Sequence, residues 1–125
     1  MTENNLSFLI RGTIFKVYQA LGPGLYESAY ESVLAYELRK MQIRVDQQVP
    51  LPLVYEQVSM DVGYRIDLLV ENKVIIEVKS VEKLLEVHHK QLLTYLKLSG
   101  MKLGMLVNFN TEDINKGIFR KVNGL

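Results

Sequence analysis

The chain has 125 residues, of which 48% are hydrophobic and 23% are charged, so its size and composition are those of one globular domain. It contains no cysteine, which excludes disulfides, zinc–thiolate sites and iron–sulfur clusters. The net charge of +1 argues against a general nucleic-acid binder, although residues 78–125 carry 8 basic and 4 acidic side chains.

The N-terminal residues lack the basic region and the long apolar core of a signal peptide. No apolar run approaches the roughly 18 residues that a membrane span needs. We therefore expect a cytoplasmic protein that makes no contact with a membrane.

Two helices are predicted at the start of the chain. Apolar residues recur at helical spacing from about Asn5 to Ala20 and again from about Tyr26 to Met41. The sequence Gly22-Pro23-Gly24 separates them, because proline lacks an amide donor and glycine tolerates unusual backbone angles.

Three strands are predicted next. Residues 45–55 indicate a strand that two prolines interrupt or confine to a sheet edge. Val58 to Val70 and Val74 to Val81 are predicted as the second and third strands, joined by the polar turn Glu71-Asn72-Lys73.

The second half alternates helix and strand. A third helix is predicted over about Glu82 to Ser99, ending at Gly100, and Leu103 to Phe109 is a short buried strand. Ile114 to Val122 is ambiguous, with a last strand as one interpretation. A three-strand meander with flanking helices predicts an α/β or α+β sandwich.

The hairpin between the second and third strands gathers charged groups. Strand alternation places Ile75, Glu77 and Lys79 on one face. If the turn is residues 71–73, Asp67 lies opposite Glu77, with Cβ atoms about 4.5–5.5 Å apart. Two carboxylates there repel each other, and the apolar strands around them solvate them poorly.

A divalent cation would compensate this repulsion best, since Mg²⁺ takes carboxylate and carbonyl oxygens, and the Val78 carbonyl is a further candidate ligand. Lys79 would then orient a water nucleophile or stabilise negative charge on a phosphate. The alternative is a buried salt bridge of Lys79 with Glu77 or Asp67. A register slip of one residue would instead separate the carboxylates onto opposite faces.

The helices add three candidates. Glu27 borders the apolar stripe of the second helix, where it either has a partner or is a first-turn residue stabilised by the helix dipole. Gln91 and Tyr95 are polar-tipped groups in an otherwise apolar stripe of the third helix. Each either belongs to a site or extends its tip towards water at the sheet edge.

These residues resemble the motifs of a known group of enzymes. Ile66-Asp67 and Glu77-Val78-Lys79, with nine residues between them, resemble the D…(D/E)-x-K signature of the PD-(D/E)XK nuclease superfamily. Gln91-Leu-Leu-Thr-Tyr95 resembles the Q-x-x-x-Y motif of its RecB-like branch. Gly24-Leu-Tyr-Glu27-Ser-Ala-Tyr30 resembles the motif that names the GxxExxY family of small bacterial and archaeal proteins. The similarity extends from about Ile10 to Leu125, with Ile66 in place of the usual proline.

The resemblance implies an α/β fold in one domain over residues 1–125. It would have a restriction-endonuclease-like αβββαβ core, in which a three-strand meander plus further strands are flanked by helices, and an extra N-terminal helix. The implied metal ligands for Mg²⁺ or Mn²⁺ are Asp67, Glu77 and Glu27, and the Val78 carbonyl is the further ligand expected from the hairpin. The implied catalytic residues are Glu27, Asp67, Glu77, Lys79 and Gln91. Tyr95 is the implied nucleic-acid contact, and Lys90 and Arg65 are expected to contact nucleic acid as well.

The leading hypothesis is therefore a Mg²⁺-dependent nuclease that hydrolyses phosphodiester bonds of nucleic acid, with DNA as the expected substrate. One alternative is a non-catalytic nucleic-acid-binding module or a subunit of a larger DNA-processing assembly. Another is a small interaction protein whose charged hairpin is a salt-bridge network. A homodimer would allow so small a domain to embrace a duplex, and the sequence leaves the oligomeric state open.

Overall fold

The computed structural model describes all 125 residues, and it begins with the two expected helices. Helix α1 spans Glu3–Leu21 and α2 spans Glu27–Lys40, so each bound differs from its prediction by at most two residues. Thr2 caps α1, because its hydroxyl accepts a hydrogen bond from the Asn5 N–H at 3.1 Å. Gly22 ends α1 with a φ of +66°.

The loop between the helices is held by Tyr30 of α2. The Tyr30 hydroxyl donates to the Gly22 carbonyl and accepts from the Leu25 N–H at 3.2 Å. The ring of Tyr30 stacks on Phe109, with centroids 4.3 Å apart. These contacts fix the entry into α2, the helix that carries Glu27.

Seven strands form two sheets. Their bounds are β1 Val45–Pro50, β2 Leu53–Tyr55, β3 Val58–Met60, β4 Arg65–Val70, β5 Val74–Lys79, β6 Leu103–Asn108 and β7 Ile118–Val122. The main sheet has the order β1-β4-β5-β6-β7, and β2 pairs only with β3. The pair β5–β6 is parallel, and the other neighbours in the main sheet are antiparallel. Helix α3, Glu86–Ser99, provides the crossover that the parallel pair requires.

Each face of the main sheet has its own hydrophobic core. Val74, Ile76 and Val78 of β5 point into the larger core, which they share with α1 and α2. Ile75 points into the smaller core beneath α3. The predicted alternation along this strand is confirmed, and Glu77 is placed on the face that α3 covers.

The bounds of the predicted second strand and third helix were wrong, the third strand ends at Lys79 rather than Val81, and two segments that the sequence left open are now defined. Residues 58–70 are two strands, because the chain leaves β3 and turns at Gly63, where φ is +86°, before β4 begins. The strand predicted over 45–55 is likewise divided, and β1 lies at the sheet edge as its prolines indicated. Helix α3 begins at Glu86 rather than Glu82. The ambiguous segment 114–122 is a 3₁₀ turn, Ile114–Gly117, followed by β7.

The expected α/β architecture is confirmed. Helix α2, the meander β1-β4-β5, the crossover α3 and strand β6 follow in the αβββαβ order, with α1 as the extra N-terminal helix and β7 as a further strand. This arrangement is consistent with a restriction-endonuclease-like fold. No helix combines the length and apolar character needed to cross a membrane.

Candidate active site

The hairpin of β4 and β5 has the predicted register. Val70 pairs with Val74 across the turn, and the ladder continues to Leu68 and Ile76. Beyond that pair the backbones no longer bond to each other. The Asp67 N–H donates to the Glu77 carboxylate at 2.9 Å, and the Val78 N–H donates to the Asp67 carboxylate at 2.8 Å. The backbone ladder therefore ends at Leu68 and Ile76, immediately before the predicted Asp67–Glu77 pair. At that pair the backbone N–H groups donate to side-chain carboxylates instead of to backbone carbonyls.

Both acids of this pair are poorly solvated. Glu77 is only 4% exposed, and burial, followed by the charge of Asp67, raises the pKa of Glu77 to about 8. Burial also raises the pKa of Asp67, while hydrogen bonds from Val78 and Gln48 oppose the shift. Neither acid lies within 4.0 Å of a basic nitrogen, since the four salt bridges involve other acids. The predicted alternative, a salt bridge between Lys79 and this pair, is absent.

A third acid, Glu31, lies near the pair and connects to it through Gln48. It lies one helical turn after Glu27 in α2, is 9% exposed, and accepts from the side-chain amides of Gln47 at 3.0 Å and Gln48 at 2.7 Å. Its charge contributes to the raised pKa of both Asp67 and Glu77. Sequence reasoning missed Glu31, although its i+4 spacing from Glu27 and its place beside the buried Tyr30 were signals.

Gln48 connects the third acid to the first pair. Its side-chain amide donates both to Glu31 and, at 3.1 Å, to Asp67. Its backbone has a φ of +52°, which side-chain-bearing residues seldom adopt within a strand. In β4, opposite Gln48, the side chains no longer alternate regularly between the two faces of the sheet. Ile66 packs in the smaller core and Leu68 in the larger one, although residues two apart in a strand normally share a face. The left-handed residue and the interrupted side-chain alternation therefore both lie next to Asp67, at the candidate site.

Glu27 lies beside the end of β5. Its carboxylate accepts from the Ser80 N–H at 3.1 Å, and the Ser80 hydroxyl donates to the Leu25 carbonyl at 2.6 Å. Glu27 is solvent-exposed, and its charge is not among those that shift the pKa of Asp67 or Glu77. Its predicted role as a metal ligand stays a prediction.

Lys79 opens from β5 into a cleft of about 580 Å³ that α3 borders. Lys90, Gln91 and Tyr95 of α3 line this cleft, and Tyr64 lines it from the loop before β4. Gln91 donates its amide to the Tyr95 hydroxyl at 3.1 Å. The pKa of Tyr95 is raised by burial and then by the charge of Glu77, so the phenol lies close to the acid pair.

Two expected nucleic-acid contacts differ in their surroundings. Lys90 is exposed at the cleft. Arg65 is half-buried, and its guanidinium bonds to the Tyr64 carbonyl at 2.9 Å and lies 3.6 Å from Asp61. The structure brings Lys79, Gln91, Tyr95 and Lys90 to one cleft, and Arg65 is not among the residues that line it.

The number of converging ligands is limited. No group of three or more His, Cys, Asp or Glu side chains is arranged to hold a metal ion. Asp67 and Glu77 are the two carboxylates that meet, and Mg²⁺ is commonly bound by one or two carboxylates with water completing its shell. The donor set therefore fits a hard cation that keeps part of its water.

A family comparison agrees with this geometry. The family model described as the PD-(D/E)XK nuclease superfamily matches residues 4–121, which is nearly the whole chain. The chain therefore belongs to the PD-(D/E)XK nuclease superfamily, in which divalent metals are typical and some members are not catalytic. Neither the curated proteins nor the solved structures gave a match.

Proposed function

We propose that this protein is a Mg²⁺- or Mn²⁺-dependent nuclease that hydrolyses phosphodiester bonds, with DNA as its substrate. One observation carries the proposal: the buried Glu77 carboxylate and the half-buried Asp67 carboxylate each accept a hydrogen bond from the other's strand, with no basic nitrogen within 4.0 Å of either, and Lys79 follows Glu77 on the same strand face. Poorly solvated acids without a paired basic group are costly, and acids with strongly shifted pKa values cluster at functional sites.

Each residue of the site has a defined part in this proposal. Asp67 and Glu77 supply the oxygens for the cation, and the backbone N–H groups of Asp67 and Val78 orient the two carboxylates. A bound divalent cation would lower the pKa of a water molecule and neutralise charge on the phosphate. The Lys79 ammonium stabilises the negative charge that develops on the phosphate oxygens. Gln48 holds Asp67 and Glu31 at a fixed distance from each other.

We further propose that the chain is a GxxExxY protein of the RecB-like branch, acting in the cytoplasm as a single domain. The support is the order of its motifs around Glu27, the Asp67–Lys79 hairpin and Gln91 to Tyr95. In this proposal Glu27 and the Val78 carbonyl are additional metal ligands, Gln91 shapes the catalytic site, and Tyr95, Lys90 and Arg65 approach the nucleic acid.

A second candidate is a non-catalytic nucleic-acid-binding module or a subunit of a larger assembly. It is favoured by the observation that only two acids converge closely, without a third side-chain ligand. A titration with Mg²⁺ or Mn²⁺ by calorimetry, followed by a cleavage assay, separates the two candidates. Metal binding without cleavage of any substrate supports the module.

The proposed function is tested by cleavage of labelled single-stranded, duplex and branched DNA and of RNA, with Mg²⁺ or with EDTA. We expect metal-dependent cleavage that Asp67→Asn and Glu77→Gln abolish, because each removes a charged ligand. Lys79→Met should lower the rate by roughly 100- to 1,000-fold, the usual effect of losing one group that stabilises the transition state.

The matched control is Glu112→Gln, which removes an exposed carboxylate outside the site and should cleave like the unaltered protein. Thermal melting of all variants verifies that they are folded. Equal cleavage by Glu77→Gln and Glu112→Gln would refute the proposal.

A further inference from the structure

The cleft beside Lys79 has features that the metal site does not explain. It has a volume of about 580 Å³ and is lined by two tyrosines and two lysines, and no acid lines it. The centroids of the Tyr64 and Tyr95 rings lie 5.6 Å apart, and the ring planes meet at 54°. Tyr95 is only 4% exposed, whereas Tyr64 is 37% exposed and so keeps aromatic surface open to the cleft.

We infer that this cleft holds the base of one unpaired nucleotide against Tyr64, so that the substrate is a single strand or an unpaired region. The inference rests on the proposed function and specifies its substrate. Every base has a π-face, and aromatic side chains that bind single strands stack on it without requiring a particular sequence.

The size of the cleft supports this occupant. Pockets of roughly 300–1,000 Å³ hold one small organic ligand, which is the size range of a nucleotide. A base that remains paired within a duplex cannot enter such a pocket, and enzymes that bind bases in pockets therefore act on extruded or single-stranded nucleotides.

The charges and hydrogen-bonding groups of the cleft match the same ligand. Lys79 and Lys90 provide positive charge for the phosphates on either side of the base. Gln91 uses its amide to donate to Tyr95, which leaves the Gln91 carbonyl oxygen and the Tyr95 hydroxyl proton for the edge of a base.

Lys79 connects the cleft to the metal site. It lines the cleft and follows Glu77 by two residues on the same strand, hence on the same face. A nucleotide whose base lies against Tyr64 would therefore have its phosphate beside Lys79, which shares a strand face with Glu77.

The test measures binding and does not depend on cleavage. Fluorescently labelled oligothymidylate, a duplex of equal length and an abasic phosphodeoxyribose strand of equal length are titrated with the protein in EDTA, with anisotropy as the readout. We expect the unaltered protein to bind the single strand at least as tightly as the duplex. It should bind the abasic strand roughly 5- to 100-fold more weakly, the range expected for one lost base stack.

Substitutions of Tyr64 test whether this side chain is the one that stacks on the base. Tyr64→Leu should weaken binding of the oligothymidylate by a similar factor, whereas Tyr64→Phe, which keeps the ring, should bind normally. Tyr55→Leu is the matched control, because Tyr55 is an exposed tyrosine on β2 outside the cleft. The abasic strand tests the inference without any substitution, so a Tyr64→Leu protein that fails to fold does not prevent the test.

The outcomes separate this inference from the proposed function. Equal binding of abasic and normal strands, tighter binding of the duplex, or no binding of any oligonucleotide would overturn the inference, even if the protein cleaves nucleic acid. Base-dependent binding that Tyr64→Leu reduces supports it, even if no cleavage is detected with Mg²⁺.

Discussion

Gln48 is the side chain that touches both Glu31 and Asp67, and it adopts a left-handed backbone to do so. Groups that orient metal ligands usually contribute 10- to 100-fold to metal affinity or activity. We therefore expect Gln48→Ala to lower the rate of metal-dependent cleavage by roughly 10- to 100-fold.

The chain offers a matched control for Gln48. Gln57 is also a glutamine with a positive φ, of 67°, but it is exposed in the turn between β2 and β3. Glutamine and alanine both carry a Cβ atom, so the left-handed backbone costs about the same before and after substitution, and neither variant should lose stability through its backbone. Equal cleavage rates for Gln48→Ala and Gln57→Ala would show that the amide bridge has no role in the site.

Glu77 makes the stability of the metal-free protein depend on pH. Its pKa is about 8 in the folded chain against an ordinary value of 4.5, so between these values the folded state holds a proton that the unfolded chain has released. The free energy of unfolding therefore falls as pH rises from 4.5 to about 8. The stability that the protonated Glu77 contributes is complete below this range and lost above it.

We expect the melting temperature in EDTA to fall more steeply from about pH 5 to about pH 8 in the unaltered protein than in Glu77→Gln, which cannot ionise. Mg²⁺ should restore stability at the high end of this range, because it binds the ionised carboxylate. Parallel pH profiles for the two proteins would contradict this account of Glu77.

At the scale of elements, α3 must approach β6 closely to bring Gln91 and Tyr95 over the sheet. Gly104 of β6 permits this approach, since a Cβ atom at that position would lie 2.7 Å from a methyl carbon of Leu92. Gly104→Ala should destabilise the protein by about 1–3 kcal/mol, the usual cost of overpacking a filled core. Urea unfolding followed by circular dichroism measures this difference.

Gly12 of α1 provides the comparison. A Cβ atom there meets nothing within 4 Å, so Gly12→Ala should stabilise the protein by about 0.5–1 kcal/mol through helix propensity alone. If both substitutions changed stability in the same direction, close packing of α3 on β6 would not be the reason for the glycine at position 104.

The β2–β3 hairpin explains the largest error in the predicted elements. Its six paired residues are only partly buried or exposed, and its turn uses two left-handed residues, Glu56 and Gln57. Valines and a methionine favour a strand locally, so they extended the predicted strand of 58–70. The sequence between Met60 and Arg65 contains Gly63, but a single glycine predicts a break less surely than the Gly-Pro-Gly sequence between the helices.

For the whole molecule, turn length and strand alternation were enough to predict the part of the site that lies on the β4–β5 hairpin. The length of the turn determines the register that brings Asp67 towards Glu77, and alternation along β5 determines the face of Glu77. Glu31 and Gln48 were not predictable in this way, because they meet Asp67 through contacts 17 to 19 residues apart in sequence. The cleft at Tyr64 depends on how α3 packs over the sheet, which no periodicity specifies.

Strand β5 is an interior strand only because β6 pairs with it, and Leu106 lies beside Glu77 in that pair. Every acid of the site precedes β6 in the chain, and until β6 is made β5 has an open edge, where Glu77 lacks its neighbour Leu106. The burial that raises the pKa of Glu77 is therefore complete only after the parallel partner strand has been added.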